Sequence, residues 1–141
     1  MSPELENRLA EKYSFMRKGK SLPEQFAEGR ILDLYSAFGC ECGDGWYNLI
    51  DELCASIQKV CEAADTPVDI EVEQVKEKYG GLRFYADANG SESVRREIDR
   101  LISEAENRSE TICEECGQPG VMRDDHGWLC VRCDQCYAKE N

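Results

Sequence analysis

The chain has 141 residues, 41% of them hydrophobic, with 29 acidic against 17 basic side chains and a formal charge of −12. That length holds one ordinary domain with a small appendage, and that apolar content supports a core, which excludes global disorder. No apolar run approaches the roughly 20 residues of a membrane span, and so negative a chain is a poor polyanion ligand unless its cations cluster.

Met1-Ser2-Pro3-Glu4-Leu5-Glu6 lacks the basic and then apolar profile of an export signal, and nine cysteines is an odd number for a disulfide scaffold. The expectation is a soluble, cytoplasmic protein whose thiols stay reduced and bind metal or pack as small apolar groups. Residues 1–40 carry six acids and six bases, so the whole negative excess lies in residues 41–141.

Leu5, Leu9, Tyr13 and Met16 recur at helical spacing and predict an amphipathic helix over residues 4–18. Ser21-Leu22-Pro23-Glu24 reads as a capping box opening a short helix through Glu28, and Ile31 to Phe38 reads as helical as well. Gly39 to Gly45 is a loop rich in glycine and cysteine. From Trp46 through Leu49, Ile50, Leu53, Cys54, Ile57, Val60 and Cys61 runs one continuous apolar stripe, with Asp44 in the place of an N-cap. Trp46, at the head of that stripe, is expected in the core, with presentation to a partner from the preceding loop as the alternative.

Val68, Ile70 and Val72 alternate with acids, the period of a half-buried strand, and the parity changes at Val75, predicting a bulge near Glu73 and Gln74. Tyr79-Gly80-Gly81 is a turn, Leu82 to Ala86 the returning strand, and Val94 to Ala105 a further amphipathic helix. The predicted fold is α+β: helices on a small antiparallel hairpin or sheet over residues 1–110, followed by a zinc-ribbon-like module over 111–141.

The tail carries Cys113-Glu-Glu-Cys116 and then Cys130-Val-Arg-Cys133-Asp-Gln-Cys136. Two Cys-x2-Cys hooks bring four sulfurs to one tetrahedral ion, and the segment has too few apolar residues to fold on burial alone. One structural zinc is expected. Cys130 with Cys133 and Cys133 with Cys136 both satisfy the spacing of the second hook. The single histidine, His126, reads as an exposed loop residue, with a Cys3His site the alternative. Four sulfurs leave no open coordination position, and no His-Glu-x-x-His or deaminase element is present, so the zinc is not expected to be catalytic. Cys54 and Cys61 are expected to be buried as small hydrophobes, with a loop site at Cys40 and Cys42 a minor alternative.

Lys76, Lys78, Tyr79, Arg83 and Tyr85 form a candidate ligand patch on or beside the hairpin, where they could meet a phosphate or stack on a base. An ordinary solvated strand face with cross-strand charge pairs explains the same residues.

The blocks Gly43-Asp44-Gly45-Trp46-Tyr47-Asn48-Leu49-Ile50-Asp51-Glu52-Leu53-Cys54 and Gln74-Val75-Lys76-Glu77-Lys78-Tyr79-Gly80-Gly81-Leu82-Arg83-Phe84-Tyr85 resemble those of a family of small phage and prophage proteins that end in a zinc-ribbon-like cysteine cluster. The likeness covers roughly residues 38 to 137. Its closing element aligns with Gly127-Trp128 and Cys133-Asp134-Gln135-Cys136, which implies Cys113, Cys116, Cys133 and Cys136 as the ligand set. Cys130 departs from the pattern. The resemblance implies action in the cytoplasm of an infected or lysogenic bacterium, and it brings no established activity. The leading expectation is a non-enzymatic accessory protein that binds and inhibits a bacterial host or defence protein, with its acidic helices and zinc-stapled tail as the contact surface. A binder of a phosphate-bearing signalling nucleotide on the hairpin patch comes second, and a nucleic-acid-binding zinc ribbon third.

Overall fold

The computed structural model describes residues 1–29, 33–125 and 127–140. Helix α1 (Pro3–Lys12) starts at Ser2, whose hydroxyl accepts from Leu5 N, and buries Leu9. It is shorter than the predicted 4–18 helix. Tyr13 takes an extended backbone and Ser14–Met16 forms a 3-10 turn. Tertiary bonds replace the missing helical ones. Tyr13 donates its hydroxyl to Asp51 Oδ1 at 2.8 Å, and Met16 O accepts the buried Tyr35 hydroxyl at 2.7 Å.

Helix α2 (Leu22–Glu28) opens on the expected capping box, with Ser21 N donating to Glu24 Oε2, and ends at Gly29 in the left-handed region. Gln25 is buried, and its amide donates to Lys20 O and Asp33 O while accepting from Asp33 N. Helix α3 (Leu34–Phe38) begins after Asp33, which caps it through Ser36 N. Ile31 and Leu32, expected at the head of that helix, lie outside the described residues, as does His126.

The loop after α3 contains a two-residue strand that the sequence reading missed, β1 (Cys40–Glu41). It pairs in parallel with β2 (Ile70–Lys78), which pairs antiparallel with β3 (Gly81–Ala88), so the sheet is mixed, in the order β1-β2-β3. The bulge falls between Val72 and Gln74, as the change of parity predicts. The β2–β3 turn has two residues, Tyr79 and Gly80, both at positive φ (53° and 83°), the requirement of a type I′ hairpin. Gly81 already belongs to β3.

A 3-10 turn (Asp44–Trp46) leads into α4 (Tyr47–Ala63). Asp44 does not cap this helix. Its carboxylate accepts from Ser2 N at 2.7 Å instead, because the loop is tied to the start of α1. Helix α5 (Glu92–Ser109) is capped by Ser91 and packs with α4 on one face of the sheet. Val72, Val75, Leu82 and Phe84 meet Ile50, Ile57 and Ile98 in a core that also closes over Trp46 and Leu9.

Both sheet edges are blocked by side chains. Leu82 N donates to Ser109 Oγ and Phe84 N to Glu106 Oε2 on the β3 side, while Cys40 N donates to Glu6 Oε2 on the β1 side. An unpaired edge invites another chain to pair with it, and these bonds remove that invitation over the stretches they cover. The C-terminal module follows with the hairpin β4 (Val121–Asp125) and β5 (Trp128–Arg132), then α6 (Asp134–Glu140).

Candidate metal centre and its seat

Cys113 and Cys116 sit on a tight knuckle between α5 and β4. Gly117 N donates to Cys113 O, Cys113 N to Gln118 O, and Gly117 adopts φ 83°, a conformation that favours glycine. The knuckle is held to β5 by Glu114 N donating to Val131 O. Cys133 follows β5 directly, and Cys136 lies in the first turn of α6. The second hook is therefore a strand-to-helix junction and not a second β-knuckle, and the module reads knuckle, hairpin, helix.

The four ligand sulfurs of Cys113, Cys116, Cys133 and Cys136 all lie within 4.8 Å of one another. Cys116 Sγ and Cys133 Sγ are 3.7 Å apart. Four Zn–S bonds of about 2.3 Å in a tetrahedron give sulfur separations of about 3.8 Å, so this donor set fits such an ion. Cys130 is not in the group. Its place in the register of β5, opposite Arg123 on β4, keeps it out of the second hook.

The electrostatics of the group favour a cation. Burial opposes ionisation of Cys113, but the backbone N–H groups of Cys133, Cys116 and Glu115 outweigh it and bring its thiol down to about 7. Cys136 is pushed up, first by burial and then by the sulfurs of Cys133, Cys116 and Cys113. At Cys116 a Gln118 backbone bond favours the thiolate, as does the Cys136 thiol, yet desolvation and the thiols of Cys133 and Cys113 leave it raised. One ionised sulfur resists the ionisation of the next, and a shared divalent ion relieves that repulsion. Cys136 N donates to Cys133 Sγ at 3.4 Å, Arg123 pairs with Asp134 and lies 4.2 Å over the Tyr137 ring, and Arg132 bridges to Glu114. These contacts fix the two hooks around the centre.

The other cysteines behave as apolar groups. Cys40, Cys42 and Cys54 are buried, and burial pushes all three thiols up, Cys40 to about 12. Cys61 is half-buried. Among the described residues, no cluster of three or more metal-ligating side chains forms around Cys40 and Cys42.

The loop before α4 is the seat of the module, and this was not read from the sequence. Gly45 N donates to Glu114 O at 2.8 Å, Gly43 N to Glu114 Oε2 at 2.9 Å, and the buried Trp46 Nε1 to Ile112 O at 2.9 Å. A methyl group on Gly45 would stand 2.2 Å from Cys113 O, and one on Gly43 would stand 2.3 Å from Glu114 O. Only bare backbone can lie against the knuckle so closely. Gly80 lies against the hairpin more loosely, since an added carbon would meet the flexible end of Met122, with Sδ at 2.4 Å, and its positive φ is the stronger reason for glycine there. Both glycine-bearing blocks thus read as contact surfaces for the molecule's own tail. Glycines flanking a core tryptophan were the available signal.

Of the candidate ligand patch, Lys76, Lys78, Arg83 and Tyr85 share the outer face of the sheet, opposite the core. Lys76 stands directly across from Arg83, and Gln74 across from Tyr85. Tyr79, at the turn, is 72% exposed and lies beside the Lys78 ammonium. The residues are brought together in a mixed setting: Lys76 has the opposite charge of Glu41 in register on β1 and the like charge of Arg83 in register on β3.

One exposed side chain escaped the sequence reading as a surface feature. Trp128 is 74% exposed at the start of β5, and Val121 and Met122 are exposed on β4. Comparison with family models, curated proteins and solved structures finds no match for this chain. No helix among the described residues is long and apolar enough to cross a membrane.

Proposed function

We propose that this chain is a non-enzymatic binding protein whose tail is held by one structural zinc ion, and that the zinc-held hairpin is its contact surface for another protein. The observation that carries the reading is Trp128, a large aromatic left three-quarters exposed on the hairpin that runs between the two halves of the sulfur cluster. Exposed tryptophans anchor protein interfaces far more often than their abundance predicts. Val121, Met122 and Tyr79 add exposed apolar surface on and beside the same hairpin.

The acidic helices support the reading less than the tail does. On α5, Glu92, Glu97 and Glu104 are already engaged by Arg96 and Arg100, and Arg108 reaches across to Glu52. Much of the acidity there is neutralised within the molecule. The four thiolates would fill a tetrahedral ion's coordination sphere, leaving no position for a reacting water. The likeness of the two glycine blocks to small phage and prophage proteins supports a bacterial host or defence protein as the partner, with inhibition as the result.

The test is affinity capture from bacterial extract with the zinc-loaded chain, followed by titration of the captured protein. Trp128→Ala should weaken binding by about thirtyfold or more, the scale of an interface anchor. Equal binding by Trp128→Ala and by the wild type would overturn the hairpin as the contact surface.

A further inference from the structure

We infer that the outer face of the sheet, at its turn end, is a binding site for a compact phosphate-bearing ligand carrying an aromatic base, that is, a nucleotide. The observation is the direct opposition of Lys76 and Arg83 across β2 and β3, with Lys78 one step further along the same face. Like charges in register on neighbouring strands destabilise a sheet. In a chain with 29 acidic residues, opposite-charge partners were plentiful. Yet none of Lys76, Lys78 and Arg83 has a carboxylate oxygen within 4.0 Å of its nitrogens among the described residues. An anion placed between the two side chains would turn the repulsion into attraction, and Arg83, whose Nη1 donates to Leu82 O at 2.8 Å, keeps its remaining guanidinium donors for phosphate.

The neighbours define the size and kind of ligand. Tyr85, 40% exposed, follows Arg83 at the next position of the same face, about 7 Å along the strand. Its ring can take a base while the cations take the phosphates. Beyond it the face turns acidic, with Glu71 across from Asp87, and Glu41 stands in register beside Lys76 on β1. Glu110 lies on the other side, its carboxylate and the Arg83 guanidinium both near Gly81. These acids frame the cations closely, so a long polyanion that entered here would run into negative charge in either direction along the sheet. The frame favours a nucleotide over a nucleic acid strand. The site does not use Trp128 or the metal, so it stands or falls apart from the protein interface.

The experiment is titration of the zinc-loaded, isotopically labelled full chain with each of the four common ribonucleoside diphosphates, with inorganic pyrophosphate and with a twelve-residue oligothymidylate. At least one diphosphate should bind with Kd below about 1 mM and shift the backbone amides of Lys76, Arg83 and Tyr85, a readout that needs no variant. Lys76→Gln with Arg83→Gln should lower that affinity by about thirtyfold or more. Tyr85→Ala should lower it about tenfold while leaving pyrophosphate unaffected. Binding of no diphosphate, shifts confined to other residues, or affinity unchanged in the double variant would overturn the site. Tighter binding of the oligonucleotide with a steep loss in salt would overturn the nucleotide in favour of a strand.

Discussion

The helical body and the cysteine-clustered tail solve the same stability problem by different means. The body closes a continuous apolar core, from Leu9 on α1 through Ile50 and Ile57 on α4 to Phe84 on β3 and Ile98 on α5. In the tail, Val131 and the two cysteines Cys113 and Cys136 are the buried apolar side chains, and Val121, Met122 and Trp128 face solvent. So few buried groups cannot offset the cost of ordering the segment. What remains is the cluster of four sulfurs, and metal binding of about 10–16 kcal/mol is enough to fold modules of this kind. A tail stapled by a metal can leave its large side chains outside, free for a partner, which a tail folded by burial cannot.

The largest effect should come from removing the metal. Chelation should abolish hydrogen-exchange protection of β4, β5 and α6 while α4 and α5 keep theirs, because the body's core does not include the centre. Loss of protection throughout would show that the two regions are one cooperative unit. Next in size, Cys136→Ser should remove stoichiometric zinc measured by native mass spectrometry, and Cys130→Ser should retain it, since only the first residue belongs to the sulfur cluster. The reverse pattern would move the second hook to Cys130 and Cys133.

The seat between the regions can be tested by a single methyl. Gly45→Ala places a carbon 2.2 Å from Cys113 O, where only backbone can yield. Such overpacking costs about 1–3 kcal/mol, and it should appear in urea denaturation as a loss shared by body and tail. A body of undiminished stability would mean that the seat carries no energy.

The smallest expected effect is a difference in pH response. Burial, and then the hydrogen bond to Asp51, push the Tyr13 hydroxyl up to about 12, and burial with Glu6 nearby pushes the Cys40 thiol up to about 12. Both groups are neutral when protonated and have folded values above their ordinary ones. Their contribution is fully present below the ordinary values of 9.0 for Cys40 and 10.0 for Tyr13, and it is lost as pH rises toward about 12. The tail should fail at the other end, because thiolates must be deprotonated to hold zinc and falling pH releases it. Circular dichroism of α4 and α5 against alkaline pH, and zinc release against acid pH, should separate the two regions. Tyr13→Phe should blunt the alkaline loss.

Much of the body was legible in the sequence because its signals are local. The apolar stripe beginning at Trp46 follows helical periodicity, the alternation at Ile70 and Val72 follows a strand, and the parity change at Val75 marks the bulge that the register shows. The glycines marked a turn at Tyr79-Gly80-Gly81, but its type was not legible, since the positive φ falls on Tyr79 and Gly80 while Gly81 joins β3. The spacing of the cysteines announced the sulfur cluster but left two choices for the second hook. The family likeness favoured Cys136, and the strand-to-helix junction after Arg132 brings Cys136 into the group.

What only tertiary structure decided are the features that depend on distant segments meeting. The helix predicted over 4–18 breaks at Tyr13, whose hydroxyl finds Asp51 38 residues away. Asp44 gives up capping to hold Ser2, and Cys40–Glu41 becomes a strand because β2 lies beside it. Gly43 and Gly45 become seats because the knuckle folds back on them. Lys76 and Arg83 become a pair of facing cations through the register of the hairpin, which sets neighbours from opposite strands without regard to their charge. Periodicity and spacing are written along the chain, whereas which backbone touches which is fixed only when the core closes and the four sulfurs of the tail gather on the loop before α4.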